Sequence, residues 1–168
     1  MQEAKLHKDN CFITLTYSDD CIPPDFGLRK ADFQGFMKRL RKKVPNVRYF
    51  HCGEYGDRTS RPHYHACLFG YDFPDKVHFT TRNGHKVYTS KILNDTWGYG
   101  ITEIGDLTFD SAAYVARYVV KKLSISDASS DEAIKAFTDK YSWVNWQTGE
   151  IVIRPPEYIT MSLKPAIS

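Results

Sequence analysis

The sequence predicts an α+β fold, a central antiparallel sheet of about five strands flanked by helices. Runs rich in β-branched and aromatic residues recur along the chain. Two segments, 32–43 and 111–123, place apolar residues at helical spacing. The two kinds of segment come in mixed order, without the regular alternation that builds a parallel sheet.

Residues 11–17 (CFITLTY) form the first predicted strand, closed by polar Ser18-Asp19-Asp20. Pro23-Pro24 and Gly27 mark a loop. In 32–43, Phe33, Phe36, Met37 and Leu40 share one helical face and most basic residues take the other. Residues 47–52 and 63–69 read as strands joined by a loop over 56–62. Asn83-Gly84 between apolar-polar runs is a hairpin signal, although 71–109 is otherwise irregular. Residues 101–104 make a further strand, and Asp110 is placed to cap a helix over 111–123. Residues 124–131 read as a loop, followed by a short helix over 131–140 and a hairpin over 143–153. Neither a repeat nor a low-complexity tract interrupts the chain.

At 168 residues the chain has the length of one domain and can bury a sizeable core. Its apolar and charged fractions are those of a folded globular protein, which excludes wholesale disorder. No apolar run approaches the roughly 20 residues that span a bilayer. Residues 1–5 lack the apolar core of a signal peptide. The expectation is a soluble intracellular protein. Cys11, Cys21, Cys52 and Cys67 show no CxxC pairing and read as core thiols in a reducing compartment.

Charge is uneven. Between residues 29 and 48, eight basic side chains accompany one acid, Asp32, so the stretch carries +7 in a chain whose net charge is +3. Such a stripe is an electrostatic footprint for phosphate, with Arg39, Arg41, Lys42 and Lys43 as candidate contacts. A merely solvated helix face explains the charge equally well.

Two motifs carry chemistry. In His63-Tyr64-His65 the imidazoles stand two apart on a strand, hence on one face, and form half of a transition-metal site. Glu54, at the end of the neighbouring strand, supplies a carboxylate. Two imidazoles and one carboxylate suit a divalent ion that keeps positions open for a phosphate oxygen. Incidental strand histidines and an exposed loop acid are the plainer reading of the same residues. The second motif is Tyr114-Val115-Ala116-Arg117-Tyr118-Val119-Val120-Lys121. Tyr114 and Tyr118 lie four apart on one helical face, and Lys121 stands three beyond Tyr118. A phenol with a pKa near 10 needs a nearby cation to act as a nucleophile, which Lys121 is spaced to provide. Tyrosines packed into a core, with lysines reaching to solvent, remain the alternative.

The order of these motifs resembles that of the HUH endonucleases, and most of all the rolling-circle replication initiators of microviruses, in the gokushovirus branch. Gly53-Glu54-Tyr55-Gly56-Asp57, Arg61-Pro62-His63-Tyr64-His65, Phe36-Met37-Lys38-Arg39-Leu40-Arg41 and residues 158–165 (YITMSLKP) are similar to that family in wording and in spacing. The resemblance runs from about residue 8 to 166. It implies an RRM- or ferredoxin-like sheet with His63 and His65 on its middle strand and the tyrosine helix lying across it. It also implies a Mn²⁺ or Mg²⁺ ion on His63, His65 and Glu54, with Tyr118, Tyr114 and Lys121 catalytic and Arg61 among the DNA contacts. The implied partners are single-stranded origin DNA and a host polymerase and helicase, in the bacterial cytoplasm. The domain would be 1–168, excised from a longer initiator. A transposase or relaxase on the same scaffold, or a non-catalytic single-strand-binding module, stays open as an alternative.

Overall fold

The computed structural model describes residues 2–126, 130–145 and 148–163, with 118–126 as helical backbone. Its elements are α1 (Gln2–Lys5), β1 (Asn10–Tyr17), α2 (Lys30–Lys43), β2 (Arg48–Tyr55), β3 (Pro62–Phe69), β4 (Val77–Arg82) and β5 (His85–Thr89). They continue as α3 (Lys91–Trp97), β6 (Gly100–Gly105), α4 (Phe109–Ser126), α5 (Asp131–Tyr141), β7 (Ser142–Val144), β8 (Ile151–Ile153) and β9 (Tyr158–Met161).

Strand alternation divides the side chains between two layers. Cys11, Ile13, Leu15 and Tyr17 of β1 and Tyr64, Ala66 and Leu68 of β3 face one side. Phe33, Phe36, Met37 and Leu40 of α2 cover them there, with Leu93 and Trp97 of α3. Phe12, Phe50, Cys52, Cys67 and Phe69 face the other side, under Ala112, Tyr114 and Val115 of α4. The sheet is antiparallel throughout, in the order β4-β5-β6-β1-β3-β2-β9, so β3 and its histidines are central.

The α+β class is as the sequence predicts, but the sheet has seven strands instead of about five. One reason is the β4–β5 hairpin, whose turn residues Asn83 and Gly84 take positive φ and which joins β6 through Tyr88 opposite Ile104. The other is β9, four residues that pair with β2 from Phe50 to Gly53 and that the sequence reading did not separate from a tail. Helix α3 also emerges from the stretch read as irregular. Ser90 Oγ caps it by accepting from Leu93 N at 3.0 Å, and Gly98 closes it in the left-handed region. The cap of α4 is Thr108 in place of Asp110. Ser111 N donates to Thr108 Oγ1 (3.2 Å) while Thr108 N donates to Ser111 Oγ (2.8 Å). Helix α4 continues past residue 123 to Ser126, and residues 127–129 of the expected loop lie outside the described residues. Of the cysteines, Cys11, Cys52 and Cys67 are buried and Cys21 is exposed, so Cys21 is not a core residue. Among the described residues no helix is long and apolar enough to cross a membrane.

Candidate metal and nucleophile site

Register brings the ligand candidates together. Glu54 of β2 lies opposite His63 of β3, and both histidines project toward the face that α4 covers. Glu54 is 2% exposed, and its Oε1 is 2.8 Å from His63 Nε2 and 2.8 Å from His65 Nε2. The two imidazole rings are nearly perpendicular, with centroids 4.9 Å apart. One ligand atom from each residue lies within 4.8 Å of the others.

The far ring nitrogens are anchored. His63 Nδ1 donates to the Arg61 carbonyl at 3.0 Å, and His65 Nδ1 hydrogen-bonds Thr14 Oγ1 at 3.0 Å. These bonds turn both Nε2 atoms toward Glu54, as outer-sphere partners of metal-ligating histidines do. Burial works against ionising Glu54, but bonds from His63, His65 and Tyr114 outweigh it and hold the carboxyl at about 2. Burial likewise works against charging His63. The bonds to Glu54 and to the Arg61 carbonyl win there and raise its pKa. At His65 burial wins and lowers it. Glu54 Oε2 is buried and has no hydrogen-bond partner among the described residues. A buried carboxylate oxygen left unpaired is costly. A cation at the triad would satisfy it, so the donor set fits a divalent ion.

Helix α4 delivers a hydroxyl to the same point. Tyr114 Oη donates to Glu54 Oε1 at 2.6 Å, and its ring meets His65 edge-on at 5.0 Å. Burial, and then the bond to negative Glu54, push this phenol above the ordinary range. The Arg117 guanidinium lies 5.7 Å from the Tyr114 ring centroid. Tyr118 and Lys121 follow on α4, but their side chains lie outside the described residues.

The other expected contacts are not gathered here. Arg39 donates to the carbonyls of Thr96 (2.8 Å) and Trp97 (3.0 Å), closing the end of α3. Arg41 donates to the Val47 carbonyl and to Ser162 Oγ, each at 3.2 Å. Both stand on α2, as do exposed Lys42 and Lys43, and α2 covers the face opposite the triad. Arg61 alone among the five adjoins the triad. Its side chain donates to the Tyr17 carbonyl at 2.9 Å and pairs with Asp19. Thr14 is a site residue that sequence reasoning missed. Its strand parity is readable, but its place beside His65 depends on the β1–β3 pairing.

Residues 10–123 match the family model of the phage replication-associated proteins typified by ORF2. The chain belongs to this family. The matched span contains Glu54, His63, His65, Tyr114, Tyr118 and Lys121. Over 173 aligned residues the chain is 38% identical to replication-associated protein VP4 of Bdellovibrio phage phiMH2K, covering 90% of this chain and 55% of that protein. It is 35% identical over 137 residues to replication-associated protein ORF2 of Spiroplasma virus 4, covering 71% of this chain and 41% of that one. It is 31% identical over 133 residues to replication-associated protein ORF4 of Chlamydia phage 1, covering 73% and 33% respectively. All three relatives come from microviruses, as the resemblance implied. The chain thus spans between a third and just over half of the relatives it matches. No solved structure matches it significantly.

Proposed function

We propose that this family member nicks and rejoins single-stranded DNA at a replication origin, initiating rolling-circle replication of a phage genome in the host cytoplasm. The observation that carries the reading is one atom: Glu54 Oε1 meets both imidazoles and the Tyr114 hydroxyl at 2.6–2.8 Å. A divalent-cation donor set therefore stands beside a phenol that can attack phosphorus.

His63, His65 and Glu54 would hold the ion, and when bound it supplies positive charge beside the scissile phosphate. The tyrosine oxygen forms a bond to phosphorus and the bond from phosphorus to the 3′ oxygen breaks. The phenolic proton ends on that leaving oxygen. The products are a 5′-phosphotyrosine and a free 3′-hydroxyl that a host polymerase can extend. The ester bond is conserved, so rejoining by the reverse attack needs no nucleotide hydrolysis. Tyr118 makes the first attack in this reading, because Lys121 stands one turn beyond it. Tyr114 makes the second, since its hydroxyl must first leave Glu54.

Incubation with single-stranded origin oligonucleotides and Mn²⁺, followed by denaturing electrophoresis, tests the proposal. A covalent protein–DNA band is expected, and it should vanish in EDTA and in a His63→Ala, His65→Ala double variant. A full-strength band in either condition rejects the metal-dependent mechanism.

A further inference from the structure

A groove of about 360 Å³ opens beside the triad, with His65 and Tyr114 among its lining residues. A row of side chains leads into it. Thr14 lies opposite both His65 and Glu103, so the three stand abreast on β3, β1 and β6. Phe12 lies next along β1, half-buried, with one side stacked on His65 at 5.4 Å. Its cross-strand partner is Gly105, and a Cβ added there would meet no heavy atom within 4 Å. The glycine therefore leaves the flank of the Phe12 ring open. Arg82 and Lys86 of the β4–β5 hairpin line one wall, and Arg82 spans the groove to reach both carboxylate oxygens of Glu103 at 2.8 Å.

We infer that this groove holds one nucleotide next to the scissile phosphate and selects a base that carries an amino group over thymine. The inference rests on the nuclease reading above. The volume is at the small end for ligand sites, suited to a single nucleotide and not to a longer segment. An aromatic face with an open flank is what a base stacks on. Hairpin cations at the rim suit a phosphate, and the Glu103 carboxylate accepts from an exocyclic amine of cytosine, adenine or guanine. Thymine presents carbonyl oxygens where those bases present an amine, and these repel the carboxylate. The row from His65 through Thr14 to Glu103 keeps the bound base within one nucleotide of the triad.

Two measurements on the full chain test this. In EDTA, so that no chemistry intervenes, fluorescence anisotropy with a labelled single-stranded oligonucleotide reads affinity alone. Gly105→Val fills the groove from an extended strand position and should weaken binding about tenfold, as should Phe12→Ala, with Phe12→Trp restoring it. Separately, adduct yield is compared across oligonucleotides randomised around the nick. One flanking position should disfavour thymine by about tenfold, and Glu103→Gln should level that ratio whatever its effect on total yield. Unchanged affinity in Gly105→Val, or a thymine ratio that survives Glu103→Gln, overturns the groove assignment while adduct formation stands. Absence of any adduct sinks the nuclease reading instead, and the EDTA binding data then show whether the groove takes a nucleotide on its own.

Discussion

Glu54 Oε1 receives three hydrogen bonds while Oε2, buried beside it, has none among the described residues. Any cation in this triad must therefore compete with the imidazole and phenol contacts already on that carboxylate, which makes the outer bonds consequential. Thr14→Val removes the hydroxyl that fixes His65 without changing side-chain volume much. Mn²⁺ affinity, followed by calorimetric titration, should fall 10- to 100-fold with the melting temperature nearly unchanged, roughly the loss typical of such partners. Retained affinity would mean that packing against Phe12 alone orients the ring. The tyrosines separate at this scale too. Tyr118→Phe should form little adduct in a single turnover, whereas Tyr114→Phe should cleave once and fail to transfer again. Peptide mapping of the native adduct decides the order: DNA found mainly on Tyr114 reverses the two roles, and DNA on neither rejects a tyrosine nucleophile.

The strands do more than carry ligands, as β2 illustrates. His51, one residue before Cys52, points to the opposite layer from Glu54, where it stacks on Phe33 at 3.5 Å and bonds Thr160 Oγ1 at 2.8 Å. Burial holds it at about 3, far below the ordinary 6.5. The unfolded chain therefore takes up a proton below pH 6.5 that the folded chain refuses, so stability falls with acidification from 6.5 toward 3. The slope from this one group approaches about 1.4 kcal/mol per pH unit. His51→Gln should flatten urea-unfolding stability between about pH 6.5 and 5 relative to the native chain. Parallel curves for the two proteins would show that His51 is not the titrating group. Helix α2 offers a second element-level test. Arg39 and Arg41 bond main-chain carbonyls, and the helix covers the layer remote from the triad. Neutralising Lys42 and Lys43 should leave the salt dependence of single-strand binding within about 0.3 of its native log–log slope. A drop approaching about 1.4 would instead place a strand path across α2.

At the scale of the whole molecule the sheet is a partition. One layer, under α2 and α3, is a packed aromatic core around Tyr17, Phe33, Phe36, Tyr64 and Trp97. The other, under α4, is smaller and gives its polar end to the triad. This division lets the reactive side chains vary without disturbing most of the core, because alternate residues of one strand serve different layers. His63→Ala with His65→Ala is therefore expected to keep a cooperative unfolding transition close to the native one. Tyr64→Ala, between them in sequence, should cost about 3–5 kcal/mol, since it empties a buried ring site that Tyr17 and Trp97 enclose. Denaturant unfolding of the two variants makes the comparison.

Much of this was legible in the chain itself, for a physical reason: strand and helix periodicity are local. His63 and His65 share a face because a strand repeats every two residues, and Tyr114 and Tyr118 share one because a helix repeats about every 3.6. The antiparallel α+β class, the Asn83-Gly84 hairpin and the meeting of Glu54 with both histidines could be read from such patterns and one short loop. Pairings between distant segments could not. That Thr14 stands beside His65, that Gly105 bares the flank of Phe12, and that β9 closes the sheet edge all depend on registers no local pattern encodes. The basic stretch on 29–48 shows the same limit from the other side. Its charge is plain in the sequence, but which layer α2 covers is set by where Phe33, Phe36 and Leu40 find apolar partners, and only tertiary packing decided that.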